Sequence, residues 1–256
     1  MNYKNLLNST IQISNTAGNK IIEIYNKSAD SLKIQYKEDS SPLTIADKES
    51  NNIIINSLKN LTPDIPILSE EEKEVKFNKR KKWDVFWLID PLDGTKEFIK
   101  KNGEFTVNIA LIKNGSPIMG VVYAPVLDKT WYGMINHGSY LIRNNKKHKK
   151  IAVSKPGDET TLVVSSRSHS NNSKLEKFLK QFKKYELIKM GSSIKMCLVA
   201  DGSAHLYPRF GPTMEWDTGA AHAIVKYAGG NIYNIDTNKE LLYNKKNLLN
   251  PGFIVK

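Results

Sequence analysis

Trp87-Leu88-Ile89-Asp90-Pro91-Leu92-Asp93-Gly94-Thr95-Lys96-Glu97-Phe98 is the stretch around which the rest of the chain is organised. The apolar run Val85-Phe86-Trp87-Leu88-Ile89 reads as a buried strand. It delivers Asp90 at its carboxyl end, and Pro91, with no N–H to donate, is expected to end the ladder there. Asp93 follows, and Gly94 is free to take the positive φ of a tight turn, so both acids can point to one side. Two fixed carboxylates with no base between them repel each other. A hard divalent cation with oxygen ligands neutralises them most simply, which makes Mg²⁺ the first candidate. The same Asp-Pro-x-Asp-Gly residues are also ordinary turn chemistry. Carboxylates elsewhere in the chain must decide.

Upstream, Ile67-Leu68-Ser69 leads into Glu70-Glu71-Glu72. Alone, an acidic triplet reads as a solvated turn. Here it ends one short strand as Asp90 ends the next, which is how acids from separate segments converge on one edge of a sheet. A helix is expected over residues 44–60, with Thr44 or Asp47 near its amino end, where Asp47 would ordinarily be a cap. Residues 34–37 suit a short strand. Residues 6–27 place Leu7, Ile11, Ile21, Ile22 and Tyr25 on or near one helical face, although Ser14 and Gly18 fall on that face and weaken its middle.

Downstream, residues 105–112, 117–124, 130–135 and 140–142 read as an antiparallel meander with turns at Asn114-Gly115 and Asn136-His137-Gly138. The basic, polar residues 144–150 suit a linker between halves. Beyond them the pattern is mixed: strands at 162–165, 186–189 and 204–208, and helices at 173–182, after Gly191-Ser192-Ser193, and from Glu215. Gly191-Ser192-Ser193 at a helix start reads either as an anion site or as plain capping. Asp217 falls in the first turn of its helix, where it could cap or coordinate.

Length and composition set the outer limits. With 256 residues, 40% of them hydrophobic, the chain supports one large domain or two small ones. No stretch approaches a spanning helix, the first residues do not look like a secretory signal, and a single cysteine, Cys197, fits a reducing compartment. Cytoplasm is the expected location. The formal charge of +12 raises nucleic acid as a partner, but the clusters at residues 73–82 and 143–150 lack interleaved aromatics and read as solvated surface. A positive field favours a small, highly anionic substrate.

Three passages together carry a resemblance: Asp90-Pro91-Leu92-Asp93-Gly94-Thr95, the upstream Glu70-Glu71, and Trp216-Asp217 followed by small residues. They are similar to the signatures of the inositol monophosphatase superfamily of Mg²⁺-dependent, lithium-sensitive phosphatases. Within it, the passages 103–112, 120–125, 166–169, 191–197 and Leu206-Tyr207-Pro208-Arg209-Phe210-Gly211-Pro212 most resemble the 3′(2′),5′-bisphosphate nucleotidases. The resemblance implies an α/β fold, a layered α-β-α-β-α sandwich with an α+β half over residues 1–150 and an α/β half over 151–256.

The resemblance also implies roles. Glu70, Asp90, the carbonyl of Leu92, Asp93 and Asp217 would bind two Mg²⁺ ions, with a third possible at a looser position. Asp47, Thr95 and Glu70 would be catalytic, Thr95 orienting the attacking water and Asp47 holding Thr95. The N–H groups of Gly94 and Thr95 would hold the transferred phosphoryl group, with Glu70, Leu92, Asp93 and Asp217 around it. His169, Ser192, Lys195 and Arg209 would contact the nucleotide and its uncleaved phosphate. The implied reaction is hydrolysis of adenosine 3′,5′-bisphosphate to AMP and phosphate. The alternatives are an inositol or other sugar monophosphatase with the same metals, and a nucleotide-binding regulatory protein with negligible turnover. Monomer or homodimer, and a loose association with the inner membrane face, stay open.

Overall fold

The computed structural model describes residues 2–27, 35–36, 42–143, 147–156, 160–167 and 173–256. It opens with α1 (Tyr3–Tyr25), a two-residue ladder of β1 (Gln35–Tyr36) and β2 (Pro42–Leu43), and α2 (Ile45–Leu61). Then come β3 (Ile67–Ser69), α3 (Phe77–Arg80), β4 (Val85–Asp93), α4 (Thr95–Ile99), β5 (Thr106–Lys113), β6 (Ser116–Ala124), β7 (Lys129–Met134), β8 (Gly138–Arg143) and β9 (Lys149–Ile151). Strands β3 to β9 form one sheet in sequence order, parallel only between β3 and β4. The remainder is β10 (Thr161–Ser166), α5 (Ser173–Leu179), β11 (Tyr185–Met190), α6 (Ile194–Ala200), β12 (Tyr207–Arg209), α7 (Glu215–Tyr227), β13 (Ile232–Asn234) and β14 (Phe253–Val255).

The large sheet is apolar on both faces, so it is covered twice. On one face α1 and α2 bury Leu7, Ile21, Ile54 and Leu58 against Trp87, Ile89, Ile109 and Val121. On the other, α6 and α7 bury Ile194, Val199, Ala220 and Ile224 against Leu88, Ala110, Val122 and Trp131. Behind those helices, β10 pairs in parallel with β11 and is bridged at Val163 to Leu206, while β12, β14 and β13 form a small antiparallel sheet. Helix α5 closes the far side through Leu175 and Leu179 on Val163. The result is a layered α/β sandwich.

The helix expected over residues 6–27 holds despite its weak middle, and three other expectations change. Helix α1 runs unbroken through Ser14 and Gly18: Ser14 turns its hydroxyl to Ile11 O (2.8 Å), and Gly18 is the point where Tyr123 lies against the helix, so close that a Cβ would fall 2.3 Å from its ring. Strand β4 does not end at Asp90. Pairing lapses after Asp90↔Asn108 and resumes at Asp93↔Thr106, with Pro91 and Leu92 in the bulge, where the missing proline N–H leaves no ladder bond unmade. Lys149 and Lys150 belong to β9 rather than to a linker, whose residues 144–146 lie outside those described. Finally, Arg80, in one of the two clusters read as solvated, is fully buried and donates to the carbonyls of Val75, Lys245 and Lys246.

Candidate active site

The parallel pairing of β3 with β4 sets Ser69 beside Ile89, and Glu70 N donates to Ile89 O (3.1 Å), so Glu70 and Asp90 leave adjacent strands side by side. Asp217 reaches them from the amino end of α7, on the opposite half of the chain. Oxygens of Glu70, Asp90 and Asp217 all lie within 4.8 Å of one another. The bulge in β4 then aims its acids apart: Asp90 Oδ1 accepts from Leu92 N (3.1 Å), while Asp93 lines the same cleft but turns Oδ2 to Ser192 Oγ (2.7 Å) and Ser193 N. Gly94, with φ of +96°, starts α4 and lets the chain reverse at this point.

Burial drives the Asp90 carboxyl well above its usual range, and the charges of Glu70, Asp93 and Asp217 push it further. Asp217 is raised for the same reasons, burial first and then Asp93 and Glu70. Buried acids this close cannot all stay ionised without a counter-charge. The donor set tests what that charge could be: among the described residues it is three carboxylates, with neither His nor Cys, which fits hard cations such as Mg²⁺.

Asp47 does two things at once. Its Oδ2 accepts from Thr44 N (2.7 Å) and Thr44 Oγ1 (2.6 Å), closing the capping box of α2, and its Oδ1 accepts from Thr95 Oγ1 (3.1 Å). Capping and holding Thr95 are therefore not alternatives. Burial raises the Asp47 carboxyl, opposed by its hydrogen bonds from Thr44 and Thr95.

Two connected clefts meet at Asp93 and Asp217. One, of about 500 Å³, is lined by Glu70, Asp90, Leu92, Thr95 and Pro212. The other, of about 250 Å³, has Ser192, Lys195, Tyr207, Arg209 and Phe253 on its walls. Lys195 is buried, donates to Ser192 O (2.6 Å) and lies over the Tyr207 ring; burial lowers its ammonium to about 8, against the pull of Asp93. Arg209 donates through Nη2 to Pro212 O (3.0 Å), and its buried Nε has no partner among the described residues. His169 lies outside the described residues. The donors of Gly191-Ser192-Ser193, read as an anion site or a cap, serve the protein's own acids: Asp93, and Glu104 through Gly191 N (2.8 Å).

Sequence reasoning missed the polar layer beneath the site. Thr106 Oγ1 lies 2.7 Å from Ser192 Oγ and 2.8 Å from Ser193 Oγ, and Ser193 Oγ donates to Asn108 Oδ1 (2.8 Å). Glu104 accepts from Arg167 through both carboxylate oxygens. The signal was present in β5, where Thr106 and Asn108 interrupt an otherwise apolar buried strand.

The family model for the inositol monophosphatase family matches residues 2–254. The chain is 44% identical to the 3′(2′),5′-bisphosphate nucleotidase CysQ of Salmonella typhimurium, over 98% of this chain and 99% of that one. Against the CysQ of Escherichia coli it is 43% identical with the same coverage. Among solved structures, CysQ from Bacteroides thetaiotaomicron, a bacterial member of the inositol monophosphatase family, superposes with a TM-score of 0.88 at 41% identity, covering 100% of this chain and 98% of that one. An inositol monophosphatase from Anabaena shares the fold, with a TM-score of 0.76 at 24% identity and coverage of 100% and 91%. With its acids converging as they do and residues 2–254 matched, the chain belongs to the inositol monophosphatase family.

Proposed function

We propose that this chain is a 3′(2′),5′-bisphosphate nucleotidase that hydrolyses adenosine 3′,5′-bisphosphate to AMP and phosphate with the help of Mg²⁺. The observation that carries the reading is the meeting of Glu70, Asp90 and Asp217 in a cleft that Arg209 also lines, adjoining a second cleft lined by Lys195 and Arg209. A monophosphate needs only the acidic half. The cationic half suits a second phosphate, and the similarity to the CysQ nucleotidases supports the same substrate.

Glu70, Asp90, Asp93, Asp217 and the Leu92 carbonyl would hold two or three Mg²⁺ ions. Bound there, the ions would offset the charge on the phosphate oxygens and lower the pKa of a nearby water. The rest falls to the chain's own groups. Thr95 Oγ1 spends its hydrogen on Asp47, so its lone pairs are left to accept from the attacking water and fix its direction. Asp47 is itself held by Thr44, so Thr95 cannot swing. The N–H groups of Gly94 and Thr95 would receive the transferred phosphoryl oxygens. Arg209 suits the uncleaved phosphate with its planar fork, Lys195 with a buried point charge, and Ser192 stands beside them, its hydroxyl already engaged by Asp93.

Phosphate release from adenosine 3′,5′-bisphosphate and from inositol 1-phosphate, each with and without Mg²⁺, tests the reading. The bisphosphate should turn over faster, and a chelator should abolish both reactions. Faster turnover of the inositol ester would make the protein a sugar monophosphatase. Bisphosphate binding with no release of phosphate, unchanged in Asp93→Asn, would make it a binder.

A further inference from the structure

One carboxylate ties together three segments distant in sequence. Glu104 follows α4, Arg167 follows β10, and Gly191 follows β11. Arg167 Nε donates to Glu104 Oε2 (2.7 Å), Arg167 Nη2 donates to Oε1, and Gly191 N donates to Oε2 (2.8 Å). The Glu104 side chain is only 11% exposed, although the Arg167 side chain that reaches it is 48% exposed, so the shielded part of the network is the carboxylate and its bond from Gly191. The carboxyl is held below its ordinary value, chiefly by the bond from Arg167.

What Gly191 carries next is the reason this matters. Ser192 sits at φ of +55°, a left-handed conformation that costs a non-glycine residue about 1 kcal/mol or more and persists only where its surroundings impose it. From that conformation Ser192 Oγ and Ser193 N both reach Asp93 Oδ2, and Ser192 O receives Lys195 Nζ. The loop is therefore held through its side chains by Asp93, Thr106 and Asn108, and through the backbone of Gly191 by Glu104.

We infer that Glu104, itself fixed by the Arg167 fork, is a positioning residue that holds the Gly191–Ser193 loop in its left-handed turn and so sets the orientation of Asp93 at the metal site. The inference rests on the reading of Asp93 as a metal ligand. Glutamine at position 104 would offer one acceptor oxygen where three donors now converge, and its amide would face the guanidinium. With the loop released, Asp93 loses the two donors that fix its outer oxygen.

The test is Mn²⁺ binding to the substrate-free protein, followed by electron paramagnetic resonance. Glu104→Gln should weaken Mn²⁺ binding about tenfold, the low end of the effect expected for a group that orients a ligand. Ser192→Ala should also weaken it, and in the double variant the two losses should fail to add, because both act on Asp93 through one loop. Arg167→Lys, which keeps the charge but not the fork, should fall between parent and Glu104→Gln, and serves if Glu104→Gln does not fold. Folded Glu104→Gln or Arg167→Lys protein with the parent's Mn²⁺ affinity, or losses that simply add, would overturn the inference. Asp93→Asn separates the layers: if it keeps the parent's affinity, the reading of Asp93 as a ligand fails. If it loses Mn²⁺ while Glu104→Gln does not, only the positioning role fails.

Discussion

Gly120→Ala adds a methyl group in β6 where α7 lies directly on the sheet. The new Cβ would stand 2.1 Å from Ala220 O, 2.8 Å from Ala220 C and 2.9 Å from Ala220 Cα, all backbone atoms of a helix that cannot bend away at a single residue. Carbon and oxygen come no closer than about 3.3 Å without strain, so α7 must lift by about 1 Å at this point. Asp217 sits on the same helix, within one turn of Ala220, and moves with it. Over-packing of a rigid core costs about 3 kcal/mol at the upper end, which for a chain of this length lowers Tm by about 6–12 °C. With Asp217 holding metal as proposed, a shift of about 1 Å there should cost roughly 10²-fold in rate. Thermal unfolding together with kcat measured well below Tm reads both effects. Gly252→Ala is the control, since its nearest neighbours would be Arg209 O at 3.4 Å and Ile235 Cδ1 at 3.9 Å, and its Tm should stay near that of the parent. Gly120→Ala with parental Tm and kcat would refute the claim that close packing of α7 on β6 places Asp217.

Asp47→Asn keeps one acceptor for a task that uses two, so kcat should fall roughly 10²-fold, whereas Thr44→Ala should lose about 1 kcal/mol of stability as a cap and only a few-fold in rate. Phosphate-release kinetics and urea unfolding of the pair would separate capping from catalysis. Lys195 is charged below about 8 and neutral above it, so kcat/KM for the bisphosphate should decline as pH rises through that value, and Lys195→Arg should remove the decline. His222 is fully buried, between Tyr243 OH and Asn231 Oδ1, and burial lowers its pKa from 6.5 to about 4. The unfolded chain therefore binds the extra proton first, so stability is whole above pH 6.5 and falls towards pH 4, by at most about 3 kcal/mol. Urea midpoints across that window should show the slope in the parent and a shallower one in His222→Gln.

The sequence by itself determined the helices other than the short α3 and α4, the meander and the chemical identity of the acids. Periodicity placed α1, α2 and the strands from β4 to β8 to within a few residues, because an apolar face repeats wherever an element lies on a core. Asp90 and Glu70 were legible because each closes an apolar segment, and Asp93 because a turn glycine follows it, whereas Asp217 read equally as cap or ligand and was singled out only by the resemblance. Tertiary structure decided the rest. Pro91 reads locally as a stop, yet β4 bulges and continues because β5 holds the ladder on both sides of it. Arg80 reads as surface, yet residues 244–246, far along the chain, receive its buried guanidinium on the Asn244 side-chain oxygen and the carbonyls of Lys245 and Lys246. Asp47 shows the limit most clearly: its cap to Thr44 is a local pattern, but its bond to Thr95 depends on α2 and the β4 turn meeting in space. Side-chain spacing records which way a segment faces; it carries no record of which distant segment it will face.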